Sequence, residues 1–267
     1  TVTNTELGIL TDSHHMNATI TNVEGSHITD KLKRADIVIC PGFQGYSQNG
    51  KVTTLGRGGS DLSAVAIGVA IDASEVEIYS DVNGIYTADP RIVPDAIQLE
   101  YISYAEMLEL SKNGAKVLNH RCVQLAAKHN ITIHARSSFD SRKGTYVLGD
   151  EKIMKDHLNQ LIISGITGSQ NEARVTLVGV DAKVNGAGQL FEKIAEANVN
   201  VNVFNQALVG GGKMDISLII NDKDVPGVVE VINDLKEILK PQKTIVRGNI
   251  GKVAVIGVGI KNNKGMF

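Results

Sequence analysis

Residues 53–61 read Thr53-Thr54-Leu55-Gly56-Arg57-Gly58-Gly59-Ser60-Asp61, and an apolar run over residues 62–71 follows them. Glycines let a backbone approach a ligand closely and adopt positive φ angles. The free N–H groups at the start of a helix, together with the positive end of its dipole, favour an anion. The stretch therefore predicts a loop rich in hydrogen-bond donors that leads into a buried helix.

Two charged side chains in this loop suit the two ends of an α-amino acid. The planar guanidinium of Arg57 matches a carboxylate or a phosphate, and the carboxylate of Asp61 can hold an ammonium group. Alternatively, Gly58-Gly59 is a plain tight turn and Ser60 caps a core helix. The spacing matches neither the P-loop nor the dinucleotide-binding fingerprint. The loop by itself therefore leaves both a ligand site and a structural turn open.

The overall composition bounds the class of protein. The chain has 267 residues, 42% of them hydrophobic, enough for one large domain or about two to three smaller ones. A net charge of −2 offers no basic surface to nucleic acid. Two cysteines, Cys40 and Cys122, favour a reducing compartment, and no apolar run has the length of a membrane span. We therefore expect a cytoplasmic protein that binds neither nucleic acid nor membrane. The absence of an initial Met and the abrupt close at residues 265–267 predict that both ends are truncated.

The first half of the chain alternates apolar strand-like runs with helical patterns. We predict strands over residues 36–41, 75–79 and 131–135, a hairpin turn at Asn49-Gly50, and helices over residues 103–113 and 119–130. This alternation predicts a layered α/β domain. Ligands of open α/β sheets bind beyond the carboxyl ends of the strands. We therefore expect a site at Ser80-Asp81, directly after the second of these strands.

The second half contains an internal repeat. The pattern of residues 174–180, a basic residue, Val, a variable residue, two aliphatics, Gly and Val, recurs at residues 252–258, which is an offset of 252 − 174 = 78 residues. The segments between the copies, closing with a strand over residues 244–247, follow the order β-α-β-β-α-β, which is a ferredoxin-like unit. A purely structural dimerisation domain is the alternative, and the repeat by itself leaves it open.

A second stretch, residues 80–91, reads Ser-Asp-Val-Asn-Gly-Ile-Tyr-Thr-Ala-Asp-Pro-Arg. Together with residues 53–61 it resembles the aspartokinase family, and the resemblance runs across nearly the whole chain. It implies an α/β protein in which an amino-acid kinase-like layered domain is followed by ferredoxin-like ACT regulatory domains. Residues 1–150 would be the C-terminal part of the kinase domain, 151–250 the first ACT domain with its linker strand, and 251–267 the start of a second. In that family one ACT unit is inserted in the other, so residues 161–167 are expected to supply a strand to the second unit.

The resemblance also implies a reaction. Family members use ATP and Mg²⁺ to phosphorylate the β-carboxylate of L-aspartate, giving 4-phospho-L-aspartate as the first step towards lysine, threonine and methionine. Arg57 would hold the α-carboxylate of aspartate and Asp61 its α-amino group, with Gly58, Gly59 and Ser60 completing the grip. The nucleotide would be bound by a second set of residues, namely Ser80, Asp81, Tyr86, Asp89, Arg91, Lys116 and Val117. The ligands of Mg²⁺ are not assigned.

The family resemblance further implies feedback control at an ACT interface. A homodimer would bind an end product, lysine in preference to threonine, through Lys183, Asn200, Val201, Asn202 and Gln206. The chain departs from the family pattern at Asn119-His120, where His-Pro is usual. It also lacks the family's opening Lys-Phe/Tyr-Gly-Gly motif, with its phosphate-binding lysine, and a substrate-fixing glutamate. Two alternatives stay open, another amino-acid kinase such as glutamate 5-kinase and a purely regulatory ACT subunit.

Overall fold

Two units make up the fold of this chain. The computed structural model describes residues 2–3, 6–115, 117–151, 153, 163–182, 186–257 and 260. The first unit comprises Thr1–Thr167 with Ala254–Phe267, and the second comprises Gly168–Val253. Within the described residues, every helix is too short or too polar to cross a membrane.

A small sheet forms from the first part of the first unit. Its strands have the spatial order β2-β1-β3-β4, and one helix, α1, follows β2. The bounds are β1 Ile9–Thr11, β2 Ile20–Val23, α1 Ser26–Leu32, β3 Gln44–Ser47 and β4 Val52–Thr54. Strands β3 and β4 pair antiparallel, and the amide of Gly50 donates to the Ser47 carbonyl at the turn between them. The predicted hairpin turn at Asn49-Gly50 is therefore confirmed.

The predicted strand over residues 36–41 is wrong. The side chains of Ile37 and Ile39 are 78% and 65% exposed, so the apolar run is not buried. The carbonyl of Ile39 accepts a hydrogen bond from the amide of Val2, but no strand is formed by this segment in the part of the chain that the structure describes. A strand requires a continuous ladder of backbone hydrogen bonds, and an apolar run cannot supply one without a neighbouring strand.

The main sheet of the first unit has the order β5-β7-β8-β6. Strand β5 runs parallel to β7, and β6 runs parallel to β8, while β7 and β8 are antiparallel. Helices α2, α3 and α4 accompany this sheet. The bounds are α2 Gly59–Ala70, β5 Glu75–Ser80, β6 Tyr101–Ser103, α3 Tyr104–Lys112, α4 His120–His129, β7 Thr132–Ser137 and β8 Thr145–Leu148. The predicted α/β alternation is confirmed.

The core of the first unit lies between these helices and the sheet. Fully buried apolar side chains from each element meet there, including Val65, Met107, Val123 and Ile133. Burying one such side chain contributes about 1.5–3 kcal/mol. Helix α3 begins at the predicted capping box, in which Ser103 and Glu106 each accept a hydrogen bond from the other's backbone amide. The core thus fixes α2 and α4 against the sheet that carries the second predicted motif.

The second unit has the predicted β-α-β-β-α-β order. Its strands lie in the order β10-β11-β9-β12, which is the arrangement of a ferredoxin-like fold. The bounds are β9 Gly165–Asp181, α5 Gly186–Glu196, β10 Val201–Gly210, β11 Lys213–Asn221, a 3-10 helix Asp222–Asp224, α6 Val225–Asp234, α7 Lys236–Leu239 and β12 Lys243–Ile256. The predicted apolar face of the second helical segment is buried at Val228, Ile232, Leu235 and Leu239.

The sequence predicts that one strand ends near residue 247 and that the second copy of the repeat begins another, but the structure forms a single strand there. The predicted strand over residues 244–247 and the second copy of the repeat lie on one continuous strand, β12, as far as Ile256. Residues 248–251 read Gly-Asn-Ile-Gly, which is typical of a turn, but β9 lies beside β12 as a hydrogen-bonded neighbour. Likewise, the described part of residues 161–167 enters the long strand β9, which begins at Gly165, while residues 161 and 162 lie outside the described residues.

Candidate functional site

Several loops of the first unit meet at one edge of the β5-β7-β8-β6 sheet. Helix α2 leads through a short turn into β5 and packs against it, so the start of the helix and the end of the strand lie on the same side. Helix α4 and the parallel strand β7 repeat this arrangement. The backbone amide and the hydroxyl of Ser138 both donate to the carbonyl of Ser80, over 2.8 and 2.9 Å. The carboxyl ends of β5 and β7 are therefore joined at this edge.

The first loop, residues 53–61, has the backbone that its glycines predict. Gly58 has a φ angle of 71° and precedes the first residue of α2, Gly59. A Cβ atom at Gly58 would lie 2.5 Å from the side-chain nitrogen of Asn119, so only glycine fits there. No side chain in the described part of the chain caps the start of α2, and Ser60 lies exposed as the second residue of this helix. The alternative in which Ser60 caps the helix is therefore wrong. The amide of Gly59, the first residue of the helix, donates to the Gly56 carbonyl over 2.9 Å, so this amide is already engaged within the loop.

The two charged side chains of the first loop, Arg57 and Asp61, differ in their exposure to solvent. The Arg57 side chain is exposed, and no carboxylate among the residues that the structure describes forms an ion pair with it. Asp61 is half-buried in the first turn of α2. Its burial raises the pKa of the carboxyl group, and a hydrogen bond from the backbone amide of Asn119 partly opposes that rise. An incoming ammonium group would stabilise the charged form of Asp61, because it replaces part of the lost solvation.

Two residues that we did not predict as site residues hold the first loop in place. Asn119 caps α4 by accepting from the Arg121 amide, and its side-chain amide donates to the Arg57 carbonyl, each over 2.8 Å. The Arg121 guanidinium donates to the carbonyls of Leu55, over 2.8 Å, and Ala18, over 2.6 Å. The departure at Asn119-His120 marked this position in the sequence, but nothing local indicates that the start of α4 meets the first loop.

The second loop, residues 80–99, begins with a tight turn. The Ser80 hydroxyl donates to the Val82 carbonyl over 3.0 Å and accepts from the Val82 amide over 3.1 Å. Asp81 is exposed at the top of this turn. Ser80 thus fixes the backbone directly after β5, while Asp81 faces solvent at the edge where the loops meet.

The rest of the second loop is closed by pairing between its two ends. The Leu99 amide donates to the Ile85 carbonyl over 2.8 Å, and the Thr87 amide donates to the Ile97 carbonyl over 2.9 Å. Half-buried Tyr86 forms an antiparallel bridge with Gln98 between these two bonds. The closed loop presents residues 88–96 as a compact projection from the sheet edge.

Arg91 lies in this projection and is exposed, but its guanidinium is engaged. It donates to both carboxylate oxygens of Asp89, over 3.0 and 2.8 Å. This ion pair raises the pKa of Arg91 above its ordinary value. The structure therefore brings together Asp89 and Arg91, two of the predicted nucleotide residues, as one bidentate pair.

The remaining predicted residues are placed as follows. Lys116 and Lys183 lie outside the described residues, and Val117 is half-buried just before the buried Leu118. In the second unit the exposed Asn200 side chain donates to the Asn202 side-chain oxygen over 3.3 Å. Val201 begins strand β10, and Gln206 lies farther along that strand, exposed and opposite Ile216 of β11.

One cluster of possible metal ligands lies on the sheet itself. Ligand atoms of Glu75, Glu77 and His134 lie within 4.8 Å of one another. Glu77 is engaged by Arg136, over 2.8 Å, and lies 3.4 Å from His134. The hydrogen bond from Arg136 holds the pKa of the Glu77 carboxyl below its ordinary value. We therefore interpret the cluster as the surroundings of the Glu77–Arg136 ion pair on β5 and β7.

The chain is similar to characterised kinases. The aspartokinase of Mycolicibacterium smegmatis is 41% identical over 267 residues, which cover 99% of this chain and 63% of that protein. The crystal structure of E. coli aspartokinase III in complex with aspartate and ADP (R-state) superposes with a TM-score of 0.79 at 25% identity, covering 99% of this chain and 59% of that one. The crystal structure of E. coli aspartokinase III in complex with lysine and aspartate (T-state) superposes with a TM-score of 0.68 at 27% identity, covering 94% of this chain and 56% of that one.

This chain spans about 63% of the length of the mycobacterial relative. The sequence model of the amino acid kinase family matches residues 2–137, which is 136 of the 267 residues. That match takes in both loops, the helix starts and the sheet edge described above. By this match over half of its length, the chain belongs to the amino acid kinase family.

Proposed function

We propose that the full-length protein is an aspartate kinase, which transfers the γ-phosphate of ATP to the β-carboxylate of L-aspartate and forms 4-phospho-L-aspartate. The observation that carries this proposal is that one short loop holds both an exposed Arg57, which forms no ion pair with any described residue, and the half-buried carboxylate of Asp61. The relatives support it, since E. coli aspartokinase III was crystallised with aspartate and ADP.

The acceptor end of the reaction needs positioning rather than a general base. A carboxylate is already a nucleophile, so the protein contributes by holding it in line and by neutralising charge. Arg57 would hold the α-carboxylate of aspartate through two parallel hydrogen bonds, and Asp61 would hold its ammonium group. The start of α2 at Gly58, Gly59 and Ser60 would complete the grip on the substrate, with Ser60 as a further donor, because the Gly59 amide already donates to the Gly56 carbonyl.

The second loop would bind the nucleotide. Ser80 and Asp81 lie at the carboxyl end of β5, where α/β sheets commonly bind ligands, and Tyr86 would contact the base. Arg91 would turn from Asp89 towards phosphate oxygens, with Lys116 and Val117 completing the site. Mg²⁺ prefers carboxylate and phosphate oxygens, so the exposed carboxylate of Asp81 fits an ion that neutralises phosphate charge.

The second unit would carry feedback control. We assign residues 1–150 to the kinase domain, residues 151–250 to a first ACT domain with its linker strand, and residues 251–267 to the start of a second. Strand β10 lies at a sheet edge and exposes the apolar side chains of Val203, Phe204, Leu208 and Val209, which suits a homodimer through this edge. Lysine would bind near Lys183, Asn200, Val201, Asn202 and Gln206, in preference to threonine.

The proposed activity is tested by measuring ADP formation by the full-length protein with ATP, Mg²⁺ and single amino acids. We expect ADP formation to depend on L-aspartate, and hydroxylamine to trap the acyl phosphate product. L-Glutamate serves as the matched control, since it differs from aspartate by one methylene group. Turnover with glutamate in place of aspartate would instead identify another member of the amino acid kinase family.

A further inference from the structure

One buried hydroxyl group joins the two ends of the second loop. Thr145 is the first residue of β8, and its side chain is fully buried. Its hydroxyl accepts a hydrogen bond from the Ile85 amide over 2.8 Å and donates to the Leu99 carbonyl over 2.5 Å. The Leu99 amide also donates to the Ile85 carbonyl. We call this paired base of the second loop the Ile85–Leu99 stem, and the Thr145 hydroxyl is hydrogen-bonded to both of its sides.

The backbone around this point is packed closely enough to require glycine. Gly84 has a φ angle of 82°, and a Cβ atom there would lie 2.4 Å from the Thr145 hydroxyl oxygen and 2.9 Å from its backbone nitrogen. The next side chain towards the turn, buried Asn83, donates to Gln98 over 3.2 Å. The start of β8 is thus a fixed support against which the second loop is held.

We propose that Thr145 is a positioning residue for nucleotide binding, acting through the Ile85–Leu99 stem on Tyr86 and on the Asp89–Arg91 pair. This inference rests on the proposed function, in which those residues bind ATP. Without the hydroxyl, the buried Ile85 amide loses its acceptor, and an unsatisfied buried donor is costly. The stem would then open or shift, and the residues projecting from it would lose their alignment.

Two substitutions in the full-length protein separate the hydroxyl from the shape of the side chain. Thr145→Val keeps the shape and removes the hydroxyl, and we expect it to raise the KM for ATP and the Kd for ADP by about tenfold. The KM for aspartate should change by less than about twofold. Thr145→Ser keeps the hydroxyl and should restore most of the ADP affinity.

Thr11→Val is the matched control, because Thr11 is equally buried and its hydroxyl bonds to Asp12 and Thr53, at the other sheet. It should leave ADP affinity within about twofold of the wild type. A folded Thr145→Val protein with unchanged ADP affinity would overturn the proposal. An equal rise in the KM for ATP and the KM for aspartate in Thr145→Val would also overturn it, as would a loss of ADP affinity in Thr145→Ser as large as that in Thr145→Val.

Hydrogen exchange keeps the proposal testable if Thr145→Val does not fold. In the wild type, the Ile85 amide should exchange slowly, and in Thr145→Ser it should stay protected. Rapid exchange of Ile85 in the wild type would overturn the positioning role directly, whatever the activity. If the wild type does not bind ADP by calorimetry, the proposed function fails and this inference fails with it; normal wild-type binding together with unaffected Thr145→Val binding removes only the inference.

Discussion

The side-chain amide of Asn119 donates a hydrogen bond to the backbone carbonyl of Arg57 over 2.8 Å, across 62 residues of sequence. The same residue caps α4, and its backbone amide partly opposes the rise that burial causes in the pKa of the Asp61 carboxyl. One residue therefore acts on both of the charged residues that we assign to the aspartate substrate, and it connects the starts of α2 and α4.

This relationship predicts a selective effect of Asn119→Ser in the full-length protein. Serine is also a good N-cap, but its side chain is too short to reach the Arg57 carbonyl. We expect the KM for aspartate to rise roughly five- to tenfold, since a hydrogen bond that orients the loop is lost, while the KM for ATP changes little. Steady-state kinetics with each substrate varied in turn measures this. A uniform change in both KM values would show that Asn119 only stabilises α4.

Arg57 itself should dominate aspartate affinity. Removing a bidentate charged pair in Arg57→Ala should lower kcat/KM for aspartate roughly 10- to 100-fold, and Arg57→Lys should recover only part of it, because lysine lacks the planar fork. Arg174, exposed on β9 in the second unit, provides the control, and Arg174→Ala should behave as the wild type. If Arg57→Ala impairs ATP saturation and leaves aspartate saturation intact, our assignment of the two loops is reversed.

The half-buried position of Asp61 predicts that replacing its carboxylate raises the stability of the protein in a pH-dependent way while it removes aspartate binding. Its pKa is raised in the folded state by burial, so the charged form is destabilising. That cost is fully present above the folded pKa and is relieved as pH falls through it. Asp61→Asn should therefore melt at a higher temperature than the wild type near neutral pH and lose aspartate binding. The difference in Tm should shrink in acid, as the wild-type carboxyl takes up its proton. A lower Tm for Asp61→Asn than for the wild type at neutral pH would contradict the conclusion that burial makes the charged Asp61 carboxylate destabilising.

The regulatory proposal is tested by ligand-induced stabilisation of the full-length protein. Lysine at millimolar concentration should raise the Tm by mass action, more than threonine or methionine does. Gln206→Ala should abolish the lysine shift, while Asn205→Ala, the adjacent exposed position on β10, should retain it. An intact shift in Gln206→Ala would place the effector elsewhere.

Features with local causes could be predicted from the sequence. The Asn49-Gly50 turn, the Ser103–Glu106 capping box and the β-α-β-β-α-β order are confirmed, because turn chemistry, capping and hydrophobic periodicity act over a few residues. The charged residues of both loops could also be proposed as site residues from the sequence, since their types and order carry the resemblance to the aspartokinase family.

Strand pairing could not be predicted in the same way. Residues 36–41 have the composition of a buried strand yet form none in the described structure, and residues 248–251 resemble a turn yet lie inside β12. In both places the outcome depends on whether a neighbouring strand is present to accept the hydrogen bonds. That neighbour is supplied by the fold and is not encoded in the segment.

The amino-acid sequence was sufficient to place Arg57 and Asp61 on a glycine-rich helix start and Asp81 after a strand, because these are local consequences of residue type. It did not reveal Asn119, Arg121 and Thr145, which hold the two loops in position. Their hydrogen bonds to Arg57, Leu55 and Ile85 span 60 residues or more. Such contacts form only when packing of the core brings the helix and strand ends to one edge of the sheet, where each buried donor must find an acceptor.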